Sequence, residues 1–248
     1  MNNQTIEKLY QMRLHTMAVA FKEELERPNN VDLTFEDRFA MLVEREWMFR
    51  ENRRFTTRLK AAKLKHQASL EDIDFRHPRG MDKSQFLSLA SCQWIKSHQN
   101  VIITGPTGIG KSYLSEALAN KACRESYTAK YYRAPRLFQD LAMARGDGSY
   151  AALLQKIAKA DLLVIDDWGI APLTDSERRD VLEVMEDRHG IRSTLLTSQY
   201  PITTWHDIIG EPTMADAILD RIVHNAHKIT LTGESMRKTK SSLTQDAH

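Results

Sequence analysis

The sequence predicts an α/β fold, a parallel sheet flanked by helices, with a small all-helical domain in front. Three observations carry this. The apolar run Val101-Ile102-Ile103-Thr104 leads directly into Gly105-Pro106-Thr107-Gly108-Ile109-Gly110-Lys111-Ser112, and a helical pattern follows through Leu114, Leu118 and Ala122. A second apolar run, Leu162-Leu163-Val164-Ile165, ends in Asp166-Asp167, and only a strand covered on both faces needs such a run. Residues 1 to about 70 carry helical spacing and nothing strand-like.

The stretch after the first strand reads G-x-x-x-x-G-K-S. Its glycines let the backbone fold around an anion, because residues with a Cβ rarely take the φ > 0 angles such a loop needs. Backbone N–H groups and the start of the next helix then point at a phosphate. Gly105, Pro106, Thr107, Gly108, Ile109, Gly110, Lys111, Ser112 and Tyr113 are therefore candidate ligands of a nucleoside triphosphate. In this motif the lysine reaches the β/γ-phosphates and the hydroxyl ligates Mg²⁺, roles that fall to Lys111 and Ser112. The bland alternative is a chance glycine-rich turn, which has no use for a strand before it and a helix after it.

Composition excludes other classes. A chain of 248 residues holds one large domain, or a medium one and a small one. No apolar run approaches the ~20 residues of a membrane span. Met1 to Tyr10 is polar and lacks a signal-peptide core. Cys92 and Cys123 stand far apart without metal-ligand spacing, which fits small buried residues in a reducing cytoplasm. A net charge of +2 does not by itself imply nucleic acid.

Taken in order, residues 1–27 read as one helix, ended by Pro28 with Asn29 and Asn30. A second helix starts at Thr34, with Asp37 three residues on as a weak capping box, and runs to about Leu64. Phe35, Phe39, Leu42, Val43 and Trp47 form its apolar stripe. Its far part is basic: Arg50, Arg53, Arg54, Arg58, Lys60, Lys63 and Lys65 are opposed only by Glu51. Arg50, Arg54 and Arg58 fall at i, i+4, i+8 and repel one another. A polyanion would relieve that repulsion and release counterions, so these seven are candidate DNA contacts; a solvated basic face is the alternative.

Residues 70–100 are a connector with a short helix around Phe86 to Ile95, where Ile73 or Phe75 could pack on a base or simply in a core. Ala129 to Arg133 reads as a strand and Pro135 opens a helix. Gly146 and Gly148 break the chain, and Tyr150 to Ala158 is helical. Asp166 and Asp167 then arrive at the carboxyl edge of the sheet, where ligands of such folds sit. Asp166 suits Mg²⁺, directly or through water, and Asp167 is placed to orient or deprotonate an attacking water. Thr174 with Glu177 caps a helix to Arg188, and Gly190 stops it. Ser193 to Thr197 is a buried strand with a polar tip, Thr197-Ser198-Gln199, expected beside Asp166. A helix over Thr213 to His224, a strand over Lys228 to Leu231 and a disordered tail over 239–248 complete the chain.

These motifs in this order resemble the AAA+ class of P-loop ATPases. Gly105 to Ser112 resembles its Walker A motif and Leu162 to Asp167 its Walker B motif. Ser198 or Gln199 falls at the sensor-1 position. Arg221, in Ile218-Leu219-Asp220-Arg221, resembles the arginine finger offered to a neighbouring subunit, and Arg237, in Gly233-Glu234-Ser235-Met236-Arg237, resembles sensor 2. Within the class the chain is similar to the IstB family, ATP-dependent helpers of an insertion-sequence transposase, which also resemble DnaC-type helicase loaders. The family-specific likeness is N-terminal: Phe35-Glu36-Asp37-Arg38, Glu44-Arg45-Glu46-Trp47, Arg50-Glu51-Asn52-Arg53-Arg54 and Ala61-Ala62-Lys63-Leu64. Asp166-Asp167-Trp168-Gly169 adds to it.

The resemblance implies a helical DNA-binding and assembly domain over 1–70 and an AAA+ ATPase domain over 71–238. It implies ATP and Mg²⁺ as cofactors, and self-assembly on duplex DNA with ATP sites at subunit interfaces. A transposase of the same element would be the partner and the cytoplasm the location. Two departures stand out: the class usually has Glu where this chain has Asp167, and often Asn where it has Gln199. Asp is one methylene shorter, so water positioning would depend on subunit assembly. Two other readings compete. A helicase loader would need an apolar or mixed exposed face on the N-terminal helices. A small-molecule kinase would need an arginine-rich lid, and none is evident.

Overall fold

A computed structural model describes residues 2–26 and 33–236. The chain divides into two units, with the boundary between Thr57 and Arg58, and each is described by itself.

The first unit holds α1 (Asn2–Gln11), α2 (His15–Glu26) and most of α3 (Phe35–Ala62). The single helix expected over 1–27 is therefore two. Leu14 N–H turns back to Leu9 O at 2.9 Å, Arg13 takes φ 61°, and the Arg50 guanidinium donates to Arg13 O at 2.8 Å. A contact from 37 residues away fixes this turn, so local spacing does not show it. α3 opens as expected. Thr34 Oγ1 accepts Asp37 N–H at 3.2 Å and Asp37 Oδ2 accepts Thr34 N–H at 3.3 Å. Buried Glu46 accepts from Met17 N–H at 2.9 Å and Arg50 Nε at 2.7 Å, tying α2 to α3. Most of the apolar stripe of α3 is exposed: Phe35 is 69% exposed and Trp47 58%, with Phe39 and Val43 also open to solvent, while Leu42 is half-buried.

The second unit is built on five parallel strands: β1 (Asn100–Thr104), β2 (Ala129–Arg133), β3 (Leu162–Trp168), β4 (Ser193–Ser198) and β5 (Ala226–Thr230). Their order is β2-β3-β4-β1-β5. Every neighbouring pair is parallel, which requires crossovers, and helices supply most of them. The lead-in carries α4 (Lys83–Leu89) and α5 (Gln93–Lys96). α6 (Lys111–Arg124) follows β1, and α7 (Ala134–Asp147) and α8 (Tyr150–Ala158) follow β2. α9 (Asp175–Glu186) follows β3, and α10 (Trp205–Ile209) and α11 (Pro212–Val223) follow β4. Ile102, Leu163, Ile165 and Leu196 form the sheet side of a core closed by Leu141, Ile157, Val184 and Ile218.

Three details differ from expectation. α7 runs through Gly146 and ends only at Gly148, whose φ is 79°, because one glycine inside a helix costs about 1 kcal/mol and packing outweighs that. The 3₁₀ turn Ile202–Thr204 and α10 were not expected, since the segment is too short to show a period. They exist because Trp205 is fully buried, its ring centroid 5.9 Å from that of Trp168, and its Nε1 donates to Tyr200 O at 3.2 Å. The capping box Thr174–Glu177 is formed as expected. Among the described residues no helix is long and apolar enough to cross a membrane. Arg237 and the tail 239–248 lie outside the described residues.

Candidate nucleotide-binding site

The loop between β1 and α6 is held tightly. Gly108 and Gly110 take φ of 81° and 103°, and Gly110 is the residue before the first helical turn. A Cβ on Gly108 would collide with Ser235, so the loop cannot carry side chains there. Lys111, nearly buried, donates from Nζ to Gly105 O at 2.7 Å and Pro106 O at 3.0 Å. Its charge is thus folded into the loop that the N–H groups line.

Strand register brings the acids to this loop. β3 lies between β2 and β4, and its pairing with β4 slips between Ile165 and Trp168, where Asp166 and Asp167 sit. Such an irregularity re-aims side chains. Asp166 is 3% exposed and accepts three hydroxyls. Ser112 Oγ donates to Oδ1 at 3.0 Å, Thr197 Oγ1 also donates to Oδ1, and Tyr131 Oη donates to Oδ2 at 2.7 Å. Burial first, and then the Asp166 charge, push the Tyr131 phenol far above its usual range, so it stays a neutral donor.

Asp167 takes φ 60°, outside the usual range for a side-chain-bearing residue. Its N–H donates to Thr197 Oγ1 at 3.2 Å, and its Oδ2 accepts from Arg133 Nε at 2.9 Å and Nη2 at 2.7 Å. That hydrogen bond, with the charge attraction, raises the Arg133 pKa. Of the two candidates at the tip of β4, Gln199 touches the loop: Thr107 Oγ1 donates to Gln199 Oε1 at 2.6 Å. Ser198 is buried instead, donating to Trp168 O at 2.8 Å and accepting Tyr200 N–H at 3.1 Å.

Sequence spacing points to no role for Tyr131 or Arg133, to Thr107 only as one residue of the phosphate loop, and to Thr197 only as part of a polar tip beside Asp166, where the structure does place it. Tyr131 and Arg133 alternate on one strand and so share a face, and Thr197 is a hydroxyl at the end of an apolar run. Those are faint signals without the strand order.

Arg221 is not near the loop of its own chain. It lies in the last turn of α11, where Asn100 Nδ2 donates to Arg221 O at 3.1 Å. Asn100 begins β1, so Arg221 lies at the sheet edge opposite the loop. Its Nη1 donates to Ala217 O at 2.8 Å and its Nε pairs with Glu186.

The basic series is more engaged than the sequence suggests. Glu46 as well as Glu51 opposes it. Arg50 is held by Glu46 and Arg13 O, and Arg54 by Glu51 at 2.6 Å. Arg58, in the second unit, donates to Cys123 O at 2.9 Å. Arg53, Lys60, Lys63 and Lys65 are exposed. Ile73 is buried, and Phe75 packs edge-on against Phe86 at 6.1 Å, so both serve a core.

A parallel sheet in this order, with a G-x-x-x-x-G-K-S loop after β1 and an acid pair ending β3, defines a P-loop protein of the AAA+ class. The chain belongs to the family described as IstB-like ATP binding protein, whose model matches residues 7–244. It is 50% identical over 236 residues to the insertion sequence ATP-binding protein y4pL of Sinorhizobium fredii (strain NBRC 101917 / NGR234), covering 95% of this chain and 96% of the relative. Two solved structures share the fold. DnaI has TM-score 0.57 and 23% identity, over 67% of this chain and 92% of that one. The DnaC helicase loader has TM-score 0.54 and 18% identity, over 68% and 99%.

Proposed function

We propose that this protein is an ATPase that assembles on duplex target DNA when ATP is bound, and that it assists or recruits the transposase of an insertion sequence in the cytoplasm. The observation that carries the reading is the direct hydrogen bond from Ser112 of the phosphate loop to Asp166 of the acid pair. It joins the two halves of a phosphoryl-transfer site in one chain. Membership of a family whose relatives are named for insertion sequences supports the biological half.

The donor set fits ATP with Mg²⁺. Lys111 and the loop N–H groups would hold the phosphates, and the Ser112 hydroxyl with Asp166 would hold the cation, which when bound neutralises phosphate charge. Tyr131 and Thr197, through their hydroxyl hydrogen bonds, hold the Asp166 carboxylate aimed at the loop. Asp167 accepts the proton of the attacking water or orients it. Arg133 fixes one carboxylate oxygen of Asp167, leaving Oδ1 for that water. Gln199, through Thr107, links the tip of β4 to the loop. Arg221, at the far edge of its own sheet, is offered to a neighbouring subunit, where its charge would stabilise the transition state. Arg237 would act as sensor 2.

In the domain reading, residues 1–70 serve DNA contact and assembly and 71–238 are the ATPase. Arg53, Lys60, Lys63 and Lys65 are the residues of the basic series open to phosphates. Electrophoretic mobility of a long duplex, with and without ATP, tests the reading. ATP should strengthen binding at least tenfold, and equal weak binding in both conditions would refute it.

One observation favours a second reading, a helicase-loader-like ATPase that grips a protein. Phe35, Phe39, Val43 and Trp47 leave an apolar face of α3 exposed, and apolar faces of this kind mark protein contacts. Capture of a replicative helicase in preference to bare duplex would support that reading over the first.

A further inference from the structure

Arg79 lies in the irregular stretch before α4 and is only 3% exposed. A buried guanidinium loses the water around a full charge and five donors, and ordinarily a carboxylate replaces it. Among the described residues no carboxylate is hydrogen-bonded to Arg79. Its Nη2 donates to the main-chain carbonyl of Asp74 at 3.1 Å, its Nη1 lies 3.6 Å from the Met236 sulfur, and its buried Nε has no partner. A thioether is a weak acceptor. The Asp74 carboxylate is engaged by Arg76. Burial lowers the proton affinity of Arg79, and the Asp74 charge offsets only part of this. Among the described residues this desolvated cation has only the partial influence of the Asp74 charge and no hydrogen-bonded anion.

The position of that cation is specific. Nη1 would lie 3.1 Å from a Cβ built on Gly110, the residue that precedes the first turn of α6. The neighbouring backbone is locked around it. Thr232 N–H donates to Arg79 O at 2.9 Å, Met236 N–H donates to Gly108 O at 2.9 Å, and a Cβ on Gly233 would come within 2.8 Å of Pro78 O. Three segments, 78–80, 105–110 and 231–236, thus form one layer, with the guanidinium set against the phosphate loop. The start of α6 is where N–H groups and the helix dipole favour an anion.

We propose that Arg79 is a nucleotide-binding residue whose guanidinium donates to the phosphate chain of the nucleotide held by the loop. This rests on the ATP reading of that loop. It adds a second fixed cation beside Lys111, delivered from the segment before α4 rather than from the loop. Phosphate oxygens would satisfy Nε and replace the weak sulfur contact of Nη1, so nucleotide occupancy would also loosen the hold of Arg79 on Met236.

The test compares wild type, R79M and R79K of the full chain in affinity for ADP and for tripolyphosphate, with thermal unfolding of each free protein. The proposal expects R79M to bind both ligands at least tenfold more weakly, R79K to fall between, and free R79M to melt no lower than wild type, since an uncompensated buried charge is gone. R79M binding ADP within twofold of wild type would overturn it. So would a free R79M that melts several degrees lower while keeping its affinity for tripolyphosphate, the mark of a structural strut. Failure of wild type itself to bind ADP would overturn the ATP reading along with it, which the wild-type arm alone reveals. A measurement on wild type does not depend on the variants folding. The Nε–H resonance of Arg79 should shift and gain exchange protection on saturation with ADP, and an unchanged resonance would refute the contact.

Discussion

Asp166 and Asp167 are adjacent in sequence but live in different surroundings. Asp166 is buried under three hydroxyl donors, a setting for a carboxylate that holds a cation in place. Asp167 has one oxygen fixed by Arg133, which suits a group that handles water. Asp167→Asn should therefore leave ATP affinity within about threefold, because no phosphate ligand changes. Turnover should fall by about 10²-fold or more, the usual size of a general-base contribution. Single-turnover hydrolysis at saturating ATP measures this, and normal turnover would remove Asp167 from the mechanism. The acids and the loop were legible in sequence because each lies within one local run of residues. Tyr131 and Arg133 were not, and of Thr197 only its place in the polar tip beside Asp166 was. Their roles come from β2, β3 and β4 being neighbours in space, although 31 residues separate Thr197 from Asp166.

The elements most faithful to their sequence are those whose signals are local. The box at Thr174–Glu177 caps α9, Pro135 lies in the first turn of α7, and β2 spans the expected Ala129–Arg133. Elements set by distant contacts were misread, as at the turn between α1 and α2 and at α10. Glu46 belongs to the first group of such contacts, since it joins α2 to α3. Burial alone would raise its pKa, but hydrogen bonds from Arg50 and from Met17 N–H outweigh this and hold it below its ordinary 4.5. A carboxyl depressed in the folded state stabilises the fold above its unfolded pKa, and the benefit is lost as pH falls through the folded pKa. The helical unit should therefore keep this stabilisation at neutral pH and lose it progressively below about pH 4.5. The Met17 amide proton reports the ionisation directly. Its chemical shift should titrate with a midpoint below 4.5, and a midpoint at or above that value would contradict the account.

At the scale of the molecule, Arg221 and the loop occupy opposite edges of the same sheet, so one chain cannot bring them together without unfolding β1 or α11. If sites are shared between subunits, Arg221→Ala should bind ATP almost normally yet lose most DNA-stimulated turnover. Mixing it with Lys111→Ala should then restore activity, because each variant supplies what its neighbour lacks. Turnover in the mixture equal to the mean of the two variants alone would refute the shared site. Local sequence patterns do not carry this arrangement; they give the Leu219-Asp220-Arg221 segment but not the edge it reaches. The central claim is that ATP on the Gly105–Ser112 loop drives assembly on DNA, and particle mass tests it most directly. On a long duplex, wild type with a non-hydrolysable ATP analogue should form multi-subunit particles, while wild type without nucleotide and Lys111→Ala with the analogue should not. The same particle mass in all three samples would contradict the account.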